Sequence, residues 1–332
     1  MNFHRNWRSV LVLFCGLFFL LPVGTSPREI RKPTPTVLPV QPVGCDKLGW
    51  YSAGVGLKDH TIFFFDGFYY LASIRLPSET AFAYSRSRDL CHWTDLGPIL
   101  DRRPSRKWDE GAVWAPFVFE EDGTFYLYYT GVSHDFTQTI MLAVSTNPAD
   151  PDSWQTEGMV FYPKHAGALW GPDRWSDCRD ATILKVDQIY YLYYTGRDRN
   201  GPILGWATAF SPDGPWYDWG ATLTLESKRA MIESPAIIDH DGLFYLLYNN
   251  TSKGEEYRIA NSQIGPWSDA LSFRPGWANE IWTGQDGLVY TSYVKKYSIG
   301  IERLHLNNSY TQLLFFIDAN IRRYYFPIML NP

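Results

Sequence analysis

One segment type recurs five times along the chain: a leading polar or aromatic residue, an apolar run, a turn, and an aromatic-rich run. The copies are DHTIFFFDGFYYLAS from Asp59, WAPFVFEEDGTFYLYYTG from Trp114, DATILKVDQIYYLYYTG from Asp180, ESPAIIDHDGLFYLLYN from Glu233 and NEIWTGQDGLVYTSYV from Asn279. Four of the turns carry Asp-Gly (Asp66-Gly67, Asp122-Gly123, Asp241-Gly242 and Asp286-Gly287), and the third has Asp187-Gln188. Asp-Gly between apolar runs is a strong hairpin signal, because the tight turn needs positive φ at both central residues. A second pair of short strands follows each hairpin: FAYSRSRDLCHW, MLAVSTNPADPDSW, LGWATAFSPDGPW, YRIANSQIGPW and, without the Trp, IGIERLHLNNSY. The copies start 46 to 66 residues apart. Four short strands per unit at such a period describe propeller blades, so the expected fold is all-β, a five-bladed β-propeller. The C-terminal stretch LLFFIDANIRRYYFPIML is expected to help close the ring with residues near Cys45.

Composition fits this reading. Aromatic residues make up 17 % of the chain, and strands favour them. Most of Tyr69, Tyr70, Tyr128, Tyr129, Tyr193 and Tyr194 are expected to pack between blades. Hydrophobic residues at 45 % and charged residues at 20 % exclude a disordered or collagen-like chain. A net charge of -5 offers nothing to nucleic acid, which calls for a basic patch.

Basic residues at Arg5 and Arg8, a short apolar run from Val10 to Val23 and then small residues predict a secretory signal over residues 1–25. An uncleaved signal anchor is the alternative. Residues 26–44 hold Pro27, Pro33, Pro35, Pro39 and Pro42 and read as a Pro-rich linker, leaving residues 45–332 for the propeller. Of Cys15, Cys45, Cys91 and Cys178, the last three would remain after cleavage. One disulfide plus one free thiol is one arrangement of that odd number, with the pair open.

In a propeller the innermost strand of each blade lines the central channel. The leading residues Asp59, Trp114, Asp180, Glu233 and Asn279 are then expected to face the axis. Carboxylates are depleted in strands, and three around one axis raise each other's pKa. Environments that leave one acid protonated and another ionised are what glycoside hydrolysis uses. Taken singly, each acid has a structural reading: Asp59 as a strand cap, Asp180 paired with Arg179 or Arg197, Glu233 bonded to a neighbouring loop. Trp114 would form an apolar wall for a sugar ring or fill the channel. Arg179 would steer Asp180 or simply pair with it. His60 should point to the opposite strand face and be structural. Asp109, Glu110, Asp173, Asp177 and Asp198 lie in loops and read as mostly solvated. Residues 163–178 form an insertion whose Trp170 and Trp175 would stack on a sugar or, as favoured here, pack the loop on itself. Asn249, Asn250 and Asn307 sit in glycosylation-type sequons.

Over roughly residues 48–305, the pattern resembles the five-bladed β-propeller glycosidases, especially glycoside hydrolase family 43 and its relatives in family 32. Val113-Trp114-Ala115-Pro116 followed by FYLYYTG resembles the second blade of family 43. Ala83-Tyr84-Ser85 with Arg88-Asp89-Leu90 and Trp93 is similar to the end of its first blade. Arg179-Asp180-Ala181 resembles the Arg-Asp-Pro of family 32, and Glu233-Ser234-Pro235 its Glu-Cys-Pro and the acid-bearing strand of family 43. The resemblance implies that Asp59 is the general base if the enzyme inverts, or the nucleophile if it retains. It implies that Asp180 holds sugar hydroxyls and modulates the acid, and that Glu233 protonates the leaving group. Trp114, Arg179 and Asn279 are the candidates for holding substrate. The implied substrate is an oligosaccharide or polysaccharide with terminal arabinofuranose or xylose. Fructan processing, or sugar binding without catalysis, are the alternatives. No cofactor is required by this chemistry. A structural calcium would have to do without the family 43 His, since Asn279 stands in its place. His60 and Ala181 replace the usual Pro, and Phe117 replaces an Asp. The expected location is secreted, cell-surface or periplasmic, with no membrane contact beyond a signal anchor.

Overall fold

A computed structural model describes residues 47–50, 55–101, 107–225, 230–273, 275–306 and 313–315. The expected leader (1–25) and linker (26–44), Cys45 and the Asn307 sequon lie outside them. β1 (Gly49–Trp50) opens the described chain. Blade 1 holds β2 (Gly56–Phe65), β3 (Phe68–Leu76), β4 (Phe82–Ser87) and β5 (Trp93–Ile99). Blade 2 holds β6 (Ala112–Glu121), β7 (Thr124–Val132), β8 (Gln138–Ser145) and β9 (Gln155–Phe161). Blade 3 holds β10 (Cys178–Val186), β11 (Ile189–Asp198), β12 (Gly201–Ala209) and β13 (Tyr217–Thr224). Blade 4 holds β14 (Ile232–His240), β15 (Leu243–Asn250), β16 (Gly254–Ala260) and β17 (Leu271–Ser272). Blade 5 holds β18 (Trp277–Thr283), β19 (Val289–Lys295) and β20 (Ser298–Leu306). Each blade is an antiparallel meander, and its first strand touches the first strand of the next, with β18 returning to β2. The fold is a five-bladed β-propeller.

The ring is closed by non-local pairing. β1 pairs with β20 through Gly49↔Gly300 and Trp50↔Ile299, and β21 (Leu313–Phe315) pairs with β20 further along. Segments that precede blade 1 and follow β20 therefore supply the outer edge of blade 5, which its own three strands leave open. Among the four cysteines, Cys91 is disulfide-bonded to a partner outside the described residues, and Cys178 is free and buried.

The turns follow their sequence in three blades. Asp66-Gly67, Asp122-Gly123 and Asp241-Gly242 all have positive φ at both residues, the conformation a two-residue hairpin needs. The Asp-Gly of the fifth blade differs. There β18 ends at Thr283 and β19 begins at Val289, so Asp286-Gly287 sits inside a longer loop closed by Gly284 N–H to Leu288 O.

Five apolar clusters fill the five gaps between neighbouring blades. The aromatic runs supply them: Tyr70, Tyr128, Tyr129, Tyr193 and Tyr194 are buried, and Tyr69 is half-buried against Trp282 of blade 5. Their hydroxyls are also used. Tyr84 of blade 1 donates to Pro148 O of blade 2 at 2.7 Å, Tyr128 to Pro212 O of blade 3, and Tyr193 to Gln263 O of blade 4 at 2.6 Å. Each bond docks one blade's aromatic face onto the loop between the third and fourth strands of the next. That satisfies a buried O–H that would otherwise cost about 1–3 kcal/mol.

His60 belongs to the closure, as its strand position predicts. Its Nε2 lies 2.7 Å from Ser292 Oγ on β19, joining blade 1 to blade 5. Burial lowers its pKa to about 3. The unfolded chain binds this proton below about pH 6.5 and the folded chain does not, so folding loses stability as pH falls through that window. In a comparison of chemical unfolding at pH 7 and pH 5, His60→Gln should lose less stability than the wild-type chain, by about 1–2 kcal/mol. Parallel pH dependences would remove His60 from this role.

Candidate active site

The innermost strands meet at the axis and cannot keep regular pairing up to their first residues. Each carries a pairing irregularity near its start: at Leu57/His60, Trp114/Phe117, Arg179/Thr182, Glu233/Ala236 and Trp277/Glu280. Four have a non-glycine residue in the left-handed region: Ala115, Asp180, Ser234 and Ala278. Such a conformation costs about 1–2 kcal/mol, and bulges of this kind re-aim side chains beside functional sites. Blade-to-blade hydrogen bonds hold them in place. Thr61 Oγ1 accepts from Val118 N–H, Thr130 Oγ1 from Asp180 N–H, and Thr195 Oγ1 from Ser234 N–H.

The five leading residues consequently do not occupy one equivalent position. Trp114 and Glu233 stand one residue before the bulge, Asp180 is its first residue, and Asp59 and Asn279 are its second. The small axial pocket is lined by Asp59, Pro116, Asp180, Ser234, Pro235 and Glu280, among others. Trp114 turns aside, donating from Nε1 to Glu79 Oε2 at 2.7 Å and packing on the cluster between blades 1 and 2. Asn279 is buried, and its Nδ2 donates to Gly276 O at 3.1 Å. A wider cleft lined by Lys107, Trp108, Met141 and Glu157 shares no lining residue with the axial pocket.

Arg179 organises the acids. Nη1 is 2.6 Å from Asp177 Oδ1 and 3.1 Å from Gln138 Oε1, Nη2 is 3.0 Å from Glu233 Oε2, and Nε is 3.6 Å from Asp180 Oδ2. Burial alone would lower the guanidinium pKa, but Asp180, Asp177 and Glu233 raise it. Asp180 accepts from Thr195 Oγ1 at 2.8 Å and from Ser234 N–H at 3.0 Å. Burial still pushes its carboxyl up, against the pull of Arg179. Glu233 is more open, and its Oε1 accepts from Asn249 Nδ2 at 3.1 Å. Asp59 is pushed up to about 7, first by burial and then by the Asp180 and Glu233 carboxylates. The structure thus brings Asp59, Asp180, Glu233 and Arg179 into one electrostatic unit, and leaves Trp114 and Asn279 beside it.

Sequence reasoning missed several members. Glu280 lines the axial pocket, and burial, then Asp59 and Asp180, raise its pKa well above the carboxylate range. It adjoins Asn279, and strand alternation was the available signal, obscured by the bulge. Asp177 is not solvated: it is buried between Arg179 and Arg197 Nε (3.2 Å), which hold its pKa down against burial. Glu255 is buried near Asn279 and pushed up to about 7 by burial. Two sequons are engaged in the structure: Asn249 Nδ2 binds Glu233, and Asn250 is 2 % exposed with Nδ2 on Glu256. Neither amide is free to carry a glycan. Among the described residues no group of three or more His, Cys, Asp or Glu could hold a metal ion.

Five blades surround a cluster of carboxylates, and the model of glycosyl hydrolases family 43 matches residues 55–173. A curated relative, an extracellular exo-α-(1→5)-L-arabinofuranosidase of Streptomyces avermitilis, is 23 % identical over 303 residues, covering 82 % of this chain and 57 % of that protein. The chain thus spans little more than half of that relative's length. A solved thermostable family 43 glycoside hydrolase superposes with a TM-score of 0.61 at 19 % identity, covering 84 % of this chain and 98 % of its own. A solved family 43 β-xylosidase/α-arabinofuranosidase from a compost microbial metagenome, in a calcium-free form with xylotriose, gives 0.61 at 18 % identity, covering 82 % and 98 %.

The raised Asp59 has a stability consequence. Its folded form keeps a proton that the unfolded chain releases above about pH 3.9, so stability falls as pH rises towards 7. Asp59→Asn should be more stable than wild type at pH 8 by about 1–3 kcal/mol, and equal to it near pH 3.5. Denaturant unfolding at the two pH values reads this. Equal stability at pH 8 would mean the carboxylate is not confined as described.

Proposed function

We propose that this chain is a glycoside hydrolase acting on terminal arabinofuranosyl units of an oligosaccharide or polysaccharide, with xylosyl units as the second substrate. The observation that carries the reading is the axial set itself: a carboxyl raised to about 7 at Asp59, and a more open Glu233 held by Arg179 and Asn249. Acids in such unlike surroundings are suited to opposite roles in one reaction. The printed activities of the arabinofuranosidase and xylosidase/arabinofuranosidase relatives support the sugar class.

In this mechanism Glu233 gives its proton to the glycosidic oxygen as the bond from the anomeric carbon to that oxygen breaks. To do so Glu233 takes up a proton and trades its hydrogen bond from Arg179 or Asn249 for the leaving group, while Asp59 releases the proton that burial keeps on it. Asp59 takes a proton from the water that attacks the opposite face of the sugar, inverting the anomeric carbon. Asp180, fixed by Thr195 and the Ser234 N–H, carries charge beside the oxocarbenium-like centre and orients hydroxyls. A secreted, extracellular protein is the proposed location, in keeping with the printed description of the Streptomyces relative.

The test is hydrolysis of an α-arabinofuranoside, β-xyloside, β-galactoside and β-fructoside panel, with arabino- and xylo-oligosaccharides. Turnover of one pentoside is expected. Glu233→Gln and Asp59→Asn should each lose about 10²–10⁴-fold in kcat, the range for removing an acid or base. Since the productive form needs Asp59 ionised and Glu233 protonated, kcat/KM should trace a bell-shaped pH profile with one limb near 7. Proton NMR of the first-formed product reads inversion directly. Full activity of Glu233→Gln would overturn the assignment. Sugar binding without turnover would make the chain a binding propeller.

A further inference from the structure

We propose that the outward-facing, stacked rings of Trp175 and Phe136 form a distal leaving-group subsite that receives the second and later sugar units beyond the scissile bond of an oligosaccharide chain, a position that a two-unit chain does not reach. This rests on the glycosidase reading above. The two ring centroids are 5.6 Å apart with planes 25° from parallel, and the residues are 59 % and 51 % exposed. Two large rings stacked in the open make an apolar patch on the surface.

Both rings stand at the acid-bearing end of the ring of blades. Phe136 lies in the loop after β7, whose last residue Val132 pairs with Ala112 at the start of β6. Trp175 lies three residues before Cys178, the first residue of β10. Trp175 is also tied to the acids. Its Nε1 donates to Asp177 Oδ1 at 3.2 Å, Asp177 pairs with Arg179, and Arg179 pairs with Glu233. The platform is thus one hydrogen bond and two ion pairs away from the acid proposed to protonate the leaving group. A pentose or hexose ring presents a flat C–H face to an aromatic plane and hydroxyls at its rim, which is the chemistry this surface matches.

The loop does not need the Trp175 ring in order to fold. Trp170 does the packing: it stacks on Tyr162 at 4.3 Å and donates from Nε1 to Gln138 O at 2.7 Å. Ser176 Oγ closes the loop on Gly171 O at 2.6 Å, and Thr137 Oγ1 donates to Arg174 O at 2.9 Å. The two tryptophans of one insertion therefore divide, Trp170 inward and Trp175 outward. Phe136 holds its ring against Trp175 from a left-handed backbone (φ 60°), a conformation unfavourable for an aromatic residue.

The experiment compares wild type, Trp175→Ala, Trp175→Phe and Phe136→Ala on two-unit and five-unit arabino- and xylo-oligosaccharides. Calorimetric binding is measured in a Glu233→Gln background, so that binding is read without turnover. Trp175→Ala should weaken the Kd of the five-unit chain about tenfold more than that of the two-unit chain, a difference of about 1.4 kcal/mol. The kcat/KM preference for the longer chain should fall by the same factor. Phe136→Ala should follow in the same direction. Trp175→Phe, which keeps the ring and loses the N–H to Asp177, should restore most of the preference. Equal losses on both chain lengths, or loss in Trp175→Phe as large as in Trp175→Ala, would reduce Trp175 to a prop for Asp177 and overturn the inference. Turnover with an unchanged length preference in Trp175→Ala would overturn it while leaving the glycosidase reading intact. A wild-type chain that neither binds nor cleaves any of these sugars would overturn both.

Discussion

Five strands converging on one axis leave no room for regular pairing at their inner ends, and much of the site follows from that crowding. The strands yield by bulging, four of them with a non-glycine residue in the left-handed region. The bulges free backbone N–H groups and turn side chains towards the axis. Ser234 N–H then reaches the Asp180 carboxylate, and Asp180 N–H reaches Thr130 of the neighbouring blade. The geometric defect needed to close the ring is the same feature that assembles the carboxylates.

Those carboxylates are tolerable because Arg179 sits among them. A buried ion pair is weak evidence for stability, since desolvation opposes the Coulomb gain. Here one guanidinium serves Asp177, Asp180 and Glu233, while Asp59 and Glu280 lie outside its hydrogen bonds and are driven towards the protonated state. The outcome is a division of charge within one cluster, with a stability cost where function needs it. The aromatic faces between blades offset that cost, and their hydroxyls bond to the next blade rather than being buried idle.

Blade number, the hairpins and the acid-bearing strands were legible in the sequence because they repeat with a fixed local pattern. Asp-Gly turns work through local φ preferences, and aromatic runs through strand periodicity, so neither needs the rest of the chain. The site was legible only in part. Aligning Asp59, Trp114, Asp180, Glu233 and Asn279 as equivalents assumed unbroken two-residue alternation. A bulge adds one residue to the count, which is enough to place Trp114 on Glu79, turn Asn279 to Gly276 and bring Glu280 to the axis. Asp177 looked like a loop acid because its partners, Arg179 and Arg197, reach it only once β10 and β11 are paired.

By itself the sequence determined a propeller of five repeating units with acids near the start of three inner strands, because hydrophobic period and turn chemistry act over a few residues. Only the tertiary structure decided which acids share a pocket, which is paired and which stays protonated, and which of two neighbouring tryptophans remains in the open. Those outcomes depend on burial and on partners brought together across blades, and neither exists until the ring has closed.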